Sequence, residues 1–291
     1  MTTEAVPVRP IDPDWLALRE RADARARDRA AEAVLPPLLA ACANPSGDGL
    51  RVVDLGAGTG ANLRWLAPRL PDPAGQRWIL VDHDPRLTAW APAGTTSVRR
   101  DVAGLGDLLP TLGRVDLVTA SALLDLLTGS ELSAVVGAVV VAGCPALFSL
   151  TVNGDVRISP AEECDAALAA AFDSHQRQGC RLGPDAATVV ASLFRGHGWS
   201  VVEASTPWLL NGDDGPLLDA WLVGRAEAAV EQHPGLASTA AGWLGHRRTQ
   251  LRAGQLGAAV GHVDVLALPP EREPTGGAGC WDTYGHPGLA G

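Results

Sequence analysis

From residue 50 to residue 152, short apolar segments rich in β-branched side chains alternate with helix-compatible stretches: "LRVVDL", "RWILVD", "TSVRRD", "VDLVTA" and "ALFSLTV". Parallel strands need a long crossover between neighbours, so this alternation predicts a parallel sheet wrapped by crossover helices. Two more strand candidates, "WSVVEAS" and "HVDVLALP", bring the expected sheet to seven. Helical insertions near 160–197 and 214–254 flank the sixth strand. Both exceed ordinary connection lengths and are read as elements that cover a substrate. No internal repeat interrupts the pattern.

The expected organisation is an N-terminal helical segment over 1–47, one α/β domain over 48–268 carrying both insertions, and a tail over 269–291 rich in Pro and Gly. The tail lacks periodicity and is expected to be mobile. The first helix begins at "DPDWLALRERADARARDRAAEAVL", where Asp12 can cap and Pro13 suits the first helical position, and Pro36 and Pro37 are expected to interrupt it. Trp65, Trp78 and Trp90 read as core or helix-packing residues.

Charge and cysteine usage exclude several function classes. The net charge is −10 and all 23 basic residues are Arg. The densest Arg cluster, Arg19 to Arg29, is interleaved with Glu20, Asp23 and Asp28, so no nucleic-acid partner is expected. No apolar run approaches the roughly 20 residues of a membrane span, and the N-terminus lacks the pattern of a secretory signal. A cytoplasmic location with no membrane partner is the expectation. Cys42, Cys144, Cys164, Cys180 and Cys280 are odd in number and contain no C-x-x-C pair, so no disulfide framework and no metal site is expected. They read as reduced, mainly buried small residues.

The first strand runs into "RVVDLGAGTG", an apolar segment ending at Asp54 and followed by Gly56, Gly58 and Gly60. In an open parallel sheet ligands bind beyond the carboxyl ends of the strands. Glycine there permits positive φ and close approach of a ligand to the backbone. The second strand ends in "ILVDHDP", placing Asp82 22 positions after Gly60, where a carboxylate can accept hydrogen bonds from both hydroxyls of a ribose. Dinucleotide folds show G-x-G-x-x-G around a pyrophosphate, whereas here the spacing is D-x-G-x-G-x-G. An acid at the turn disfavours a pyrophosphate and suits a ligand carrying an ammonium.

"VVDLGAGTG" resembles motif I of the class I S-adenosylmethionine-dependent methyltransferases, a Rossmann-like superfamily. The resemblance continues through Asp82, "RRD" with Asp101, and "VDLVTASALLDLL", covering about residues 48 to 155. It implies a doubly wound, mostly parallel seven-stranded sheet with an antiparallel last strand, an N-terminal helical lid, and S-adenosyl-L-methionine as cofactor. Carried over residue by residue, it implies that Gly56, Ala57, Gly58 and Gly60 line the methionine and ribose side, and that Asp82, with His83 beside it, holds the ribose. Asp101 and Val102 would meet the adenine edge, and Ser121 and Leu123 would close the methionine side. Asp54 either orders the turn from behind or touches ligand, and both readings stand.

The resemblance implies methyl transfer to a small-molecule acceptor at oxygen, nitrogen or carbon by in-line displacement, in which alignment is the main contribution of the protein. No catalytic residue is fixed by the sequence; Asp125 and His175 are candidates for a base, and Trp15, Arg19, Asp125, Asn153 and His175 for contact with the acceptor. Arg19 is expected to meet a carboxylate of cofactor or substrate. The alternatives are a protein of the same fold that binds S-adenosylmethionine or S-adenosylhomocysteine without methyl transfer, a methyltransferase acting on a protein, and an NAD-dependent oxidoreductase, which the glycine spacing disfavours. The oligomeric state is not legible.

Overall fold

The computed structural model describes residues 11–43 and 49–270. The chain opens with helix α1 (Pro13–Ala41) and continues through β1 (Arg51–Leu55), α2 (Ala61–Leu66), β2 (Arg77–Asp82), α3 (Pro85–Thr88), β3 (Thr96–Arg99), α4 (Leu105–Leu108) and β4 (Leu117–Ser121). There follow α5 (Gly129–Ala142), β5 (Ala146–Ser159), α6 (Asp165–Gln176), α7 (Ala186–Gly196), β6 (Ser200–Ser205), β7 (Trp208–Leu210), α8 (Gly215–Gln232), α9 (Ala237–Arg252) and β8 (Gly257–Leu268). The strands form one sheet in the order β3-β2-β1-β4-β5-β8-β6, with β7 also paired to β8. β1 to β5 run parallel, and β8 is antiparallel to β5, β6 and β7. The protein is therefore a doubly wound α/β fold whose last strand is antiparallel. The eighth strand, absent from the sequence reading, is the short β7, set off from β6 by Thr206 and Pro207.

Strand periodicity assigns each side chain to one of two faces. Val53 and Leu55 of β1, Val118 and Ala120 of β4, and Phe148 of β5 pack with α4, α5 and α7 through Leu105, Val135, Val139, Val190 and Phe194. Their sequence neighbours Val52, Leu117 and Leu147 face the opposite way, onto Val34 and Leu38 of α1 and Trp65 and Leu66 of α2. This alternation also fixes the direction of Asp54, which shares the α1 and α2 face with Val52.

α1 begins where the sequence places it: Asp12 caps by accepting the Asp14 N–H at 2.9 Å, and Pro13 follows. The helix does not stop at Pro36 and Pro37 but continues to Ala41. Leu38 is fully buried against the sheet, and this packing outweighs the helix hydrogen bonds that two prolines remove. Residues of the helix enter two of the three apolar clusters. Trp65 and Trp78 are buried, whereas Trp90 is 64% exposed, just beyond α3.

β5 and β8 run on past the other strands as a long antiparallel ribbon, with register shifts after Phe148 and Val152. A third apolar cluster forms on it from Leu168 and Ala171 of α6, Leu218 and Trp221 of α8, Trp243 of α9 and Trp208 of β7. Cys42 and Cys144 are buried, Cys164 is half-buried and Cys180 is exposed; Cys280 lies outside the described residues. The expected tail, from 271 onward, lies outside them too. Among the described residues no helix is long and apolar enough to cross a membrane, and no cluster of His, Cys, Asp and Glu has the makings of a metal site.

Candidate functional site

At the carboxyl end of β1 the chain turns through Gly56, Gly58 and Gly60 at φ of +63°, +54° and +82°. These are left-handed conformations that residues with a Cβ adopt only at a cost of about 1–2 kcal/mol. Gly56 is also pressed from across the site: a Cβ there would lie 2.8 Å from Leu123 Cδ1. The turn is tied to the second strand twice. The Ala57 N–H donates to the Val81 carbonyl at 3.0 Å, and the Gly58 N–H donates to Asp82 Oδ2 at 2.8 Å. Asp82 Oδ1 accepts the Asp84 N–H at 2.9 Å, so the carboxylate is fixed by backbone donors on both oxygens.

The turn, the β2 tip and the β4 tip surround a cavity of about 390 Å³. Gly56, Ala57, Gly58, Asp82, His83, Ser121 and Leu123 line it, as do Trp15 and Arg19 from α1. Sequence residues more than a hundred positions apart thus meet in one cavity. Ala122, between Ser121 and Leu123, also lines it and holds a φ of +51°. Its N–H donates to the Ser149 carbonyl at 2.9 Å, so the strained backbone of the β4 tip is held by β5.

Asp54 does not line the cavity. It is fully buried behind the turn, where Asn62 Nδ2 donates to Oδ1 at 2.7 Å. Asn62 Oδ1 in turn accepts from Arg27 Nη1 at 2.8 Å, which chains α1 to the glycine turn. Burial pushes the Asp54 carboxyl up to about 7, against the pull of the Asn62 hydrogen bond and the Arg27 charge. Of its two oxygens, Oδ2 has no hydrogen-bond partner. Gly60 caps α2 instead of lining the cavity. Asp101 is exposed, with Oδ1 accepting the Ala103 N–H at 3.3 Å, and its neighbour Arg100 lines the cavity in its place. The side chain of Val102 lies outside the described set.

The acceptor-side candidates divide. Trp15 and Arg19 reach the cavity, but Arg19 is already engaged: its Nε donates to Asp23 Oδ2 at 2.8 Å and its guanidinium lies 5.0 Å from the centre of the Trp208 ring. Trp208 Nε1 donates to the other Asp23 oxygen at 2.8 Å. Beneath this group His262 is buried, its Nδ1 3.0 Å from the Val260 carbonyl oxygen. Burial, reinforced by the Arg19 charge, holds its imidazole down at about 3.

Asp125 does not line the cavity, although Leu123 and Leu126 on either side do. Burial raises its carboxyl above the usual range while Arg19 and Arg181 pull the other way. Asn153 is exposed on the β5 ribbon, its Oδ1 accepting the Asp155 N–H at 3.0 Å. His175 lies on α6, with Nε2 3.4 Å from Glu231. Both are carried away from the cavity because β5 continues as a ribbon to Ser159 before α6 starts.

Sequence reasoning missed Asn62, Leu16, Asp23, Leu87, Arg100 and Leu105, all of which line the cavity. Asn62 had a signal. It shares a helical face with Trp65 and Leu66, all three buried, and an amide on an apolar face needs a polar partner.

No protein-family model and no curated protein matches the chain. Among solved structures it is similar to the Haemonchus contortus phosphoethanolamine N-methyltransferase 2 in complex with phosphomonomethylethanolamine and S-adenosylhomocysteine, at 13% identity and a TM-score of 0.41 over 90% of this chain and 61% of that one. It is similar to an O-methyltransferase family protein from Burkholderia thailandensis, at 17% identity and a TM-score of 0.40 over 84% of this chain and 61% of that one. It is also similar to the cyclopropane synthase MmaA2 of Mycobacterium tuberculosis, at 11% identity and a TM-score of 0.43 over 86% of this chain and 98% of that one. The chain thus spans less than two thirds of the first two proteins.

Proposed function

We propose that this chain is an S-adenosylmethionine-dependent methyltransferase acting on a small molecule. The observation that carries the reading is the left-handed glycine turn facing the backbone-anchored Asp82 carboxylate across a cavity roofed by α1. The residues fit the cofactor. Gly56, Ala57 and Gly58 leave room for a ligand against bare backbone, and Asp82 keeps lone pairs for a ribose diol. Val81, Leu87 and Leu105 supply an apolar wall suited to a purine. No Lys exists in the chain to bind a pyrophosphate, and the acids Asp12, Asp23 and Asp82 around the cavity outnumber Arg19 and Arg100, which favours a cationic ligand.

When bound, the cofactor supplies a methyl group activated by a sulfonium. The chain's own residues contribute alignment and exclusion of water. Ser121, Ala122 and Leu123 form a rigid wall opposite the turn, and Trp15 and Leu16 cover the cavity from α1. Arg19, locked by Asp23 and Trp208, is a fixed wall and not a free hook for a carboxylate. Asp101, which the resemblance implies at the adenine edge, does not line the cavity, and its neighbour Arg100 is the polar group that does.

A second reading, ligand binding without methyl transfer, draws on one observation: neither Asp125 nor His175 lines the cavity. His83, whose Nδ1 lies 3.3 Å from Asp82, is the imidazole that does.

Calorimetry with S-adenosylmethionine, S-adenosylhomocysteine and NAD tests the proposal. The two sulfur nucleosides bind and NAD does not; NAD binding without the sulfonium would overturn it. Asp82→Ala weakens S-adenosylhomocysteine binding by about 1–3 kcal/mol, the scale of hydrogen bonds to a charged group. Transfer of a labelled methyl group to small-molecule pools separates the enzyme from the binding protein.

A further inference from the structure

A second cavity, of about 260 Å³, opens between the β5 ribbon, α6, α8 and α9, and shares no lining residue with the first. Its walls are mostly apolar: Val156, Ile158, Leu168 and Trp243 line it. Into this setting α8 delivers Arg225, only 7% exposed. Its guanidinium carbon lies 4.2 Å from the centre of the Phe172 ring and 5.0 Å from that of Trp221. Among the described residues it has no hydrogen-bond acceptor and no ion-pair partner.

The carboxylate on the cavity wall, Asp165, is not available to it. Arg247, fully buried on α9, donates through Nη2 to Asp165 Oδ2 at 2.6 Å, and Trp243 Nε1 donates to Oδ1 at 2.8 Å. The Glu162 N–H adds a further donor at 2.9 Å. Against the upward push of partial burial, these donors hold the Asp165 carboxyl below its ordinary range. The same layer thus contains one buried arginine that hydrogen-bonds the carboxylate and one that feels it only through space. Burial, against the pull of the Asp165 charge, lowers the Arg225 guanidinium to about 10, so it remains cationic at neutral pH. A buried charge without an acceptor costs several kcal/mol. Two aromatic faces offset part of that cost but satisfy none of its N–H donors.

We propose that this cavity binds a small organic carboxylate with an apolar body, the carboxylate taking the Arg225 fork and the body packing against Ile158, Leu168 and Trp243. Arg157, the other arginine on the wall, donates through Nη2 to Asp155 Oδ2 at 3.2 Å, which leaves Arg225 as the planar cation that matches a monoanion by two parallel hydrogen bonds. The nearby Asp165 disfavours a dianion such as a phosphate, and the volume fits a monocyclic or short aliphatic acid. The cavity lies apart from the proposed methyl-donor site, so its ligand is a second molecule and not the methyl acceptor.

Ligand-observed NMR and calorimetry on the full chain test this with benzoate, its neutral counterpart benzamide, and inorganic phosphate. Benzoate binds at one site, and benzamide and phosphate bind at least about tenfold more weakly. Arg225→Met lowers benzoate affinity at least about tenfold while the melting temperature without ligand holds or rises, because an unmatched buried charge is removed. Should Arg225→Met fail to fold, Ala169→Leu, which fills the cavity and keeps Arg225, also abolishes benzoate binding. Equal binding of benzoate and benzamide, equal binding of phosphate, no benzoate binding, or unchanged benzoate affinity in folded Arg225→Met or in Ala169→Leu overturns the proposal.

Discussion

The glycine edge and the β5–β8 ribbon are built on opposite plans. At the glycine edge most donors and acceptors come from two short stretches, 54–62 and 81–84, with Arg27 and Thr119 as distant partners of Asn62, and the backbone itself does much of the bonding: Gly58 and Asp84 N–H groups hold Asp82. On the ribbon the decisive partners are far apart in sequence. Arg247 binds Asp165 and the Pro160 carbonyl, the latter at 2.6 Å, from more than eighty positions away. A ligand turn must place backbone within a few tenths of an ångström, which only short connections on rigid strands deliver. A peripheral helical layer needs only enough apolar area and matched charges, so many sequences can build one.

Three measurements sharpen or break this contrast. The largest expected effect is at Arg27, which is 2% exposed, donates to Asn62 and lies 3.8 Å from Asp264. Arg27→Met leaves buried carboxylates unmatched and lowers unfolding free energy in urea by about 3–5 kcal/mol. A loss below about 1 kcal/mol would show that the glycine edge is organised by its own residues, without α1.

Next is the pH dependence that Asp54 imposes. Its folded-state carboxyl, at about 7, lies above the ordinary value of 3.8, so the folded state binds the extra proton. The stability contributed by that proton is complete below about pH 4 and is lost as pH rises through about 7. Asp54→Asn keeps the acceptor for Asn62 and places an N–H at the unpartnered oxygen. Relative to wild type the variant gains on the order of 2–4 kcal/mol between pH 4 and pH 8. A wild-type minus variant difference that does not change with pH would mean that Asp54 is ionised in the folded protein, with Arg27 as its effective counter-charge.

The smallest effect belongs to the ribbon. His175→Ala removes a partly exposed contact with Glu231 and changes stability by less than about 0.5 kcal/mol, with nucleoside affinity and any methyl transfer unaltered. A large fall in transfer would return His175 to the acceptor site and make the ribbon helices part of the chemistry.

The glycine edge was legible because its signals are local. Three alternating glycines after a strand, and an acid at the next strand tip, each state a backbone or hydrogen-bond requirement within a few residues. The same logic stopped short at Asp54, where periodicity places the side chain on the α1 face with Val52 but does not say what waits there. Asp101 and Arg100 show the converse: adjacent exposed residues at a strand end, of which the cation lines the cavity and the acid does not. Asn153 and His175 do not line the cavity, and a sequence gives no count of how far a strand continues beyond its sheet. β5 runs to Ser159, so α6, which follows it and carries His175, packs on the ribbon.

By itself the sequence determined the alternation of strand and helix and the glycine turn, since each rests on periodicity or on a residue's own backbone freedom, while the antiparallel close was implied by the resemblance. Only the tertiary structure decided that α1 would run through two prolines to roof the cavity, that Arg27 would reach Asn62, and that Arg225 would be buried without a partner. Those outcomes depend on packing between segments distant in the chain, where burial outweighs local propensity.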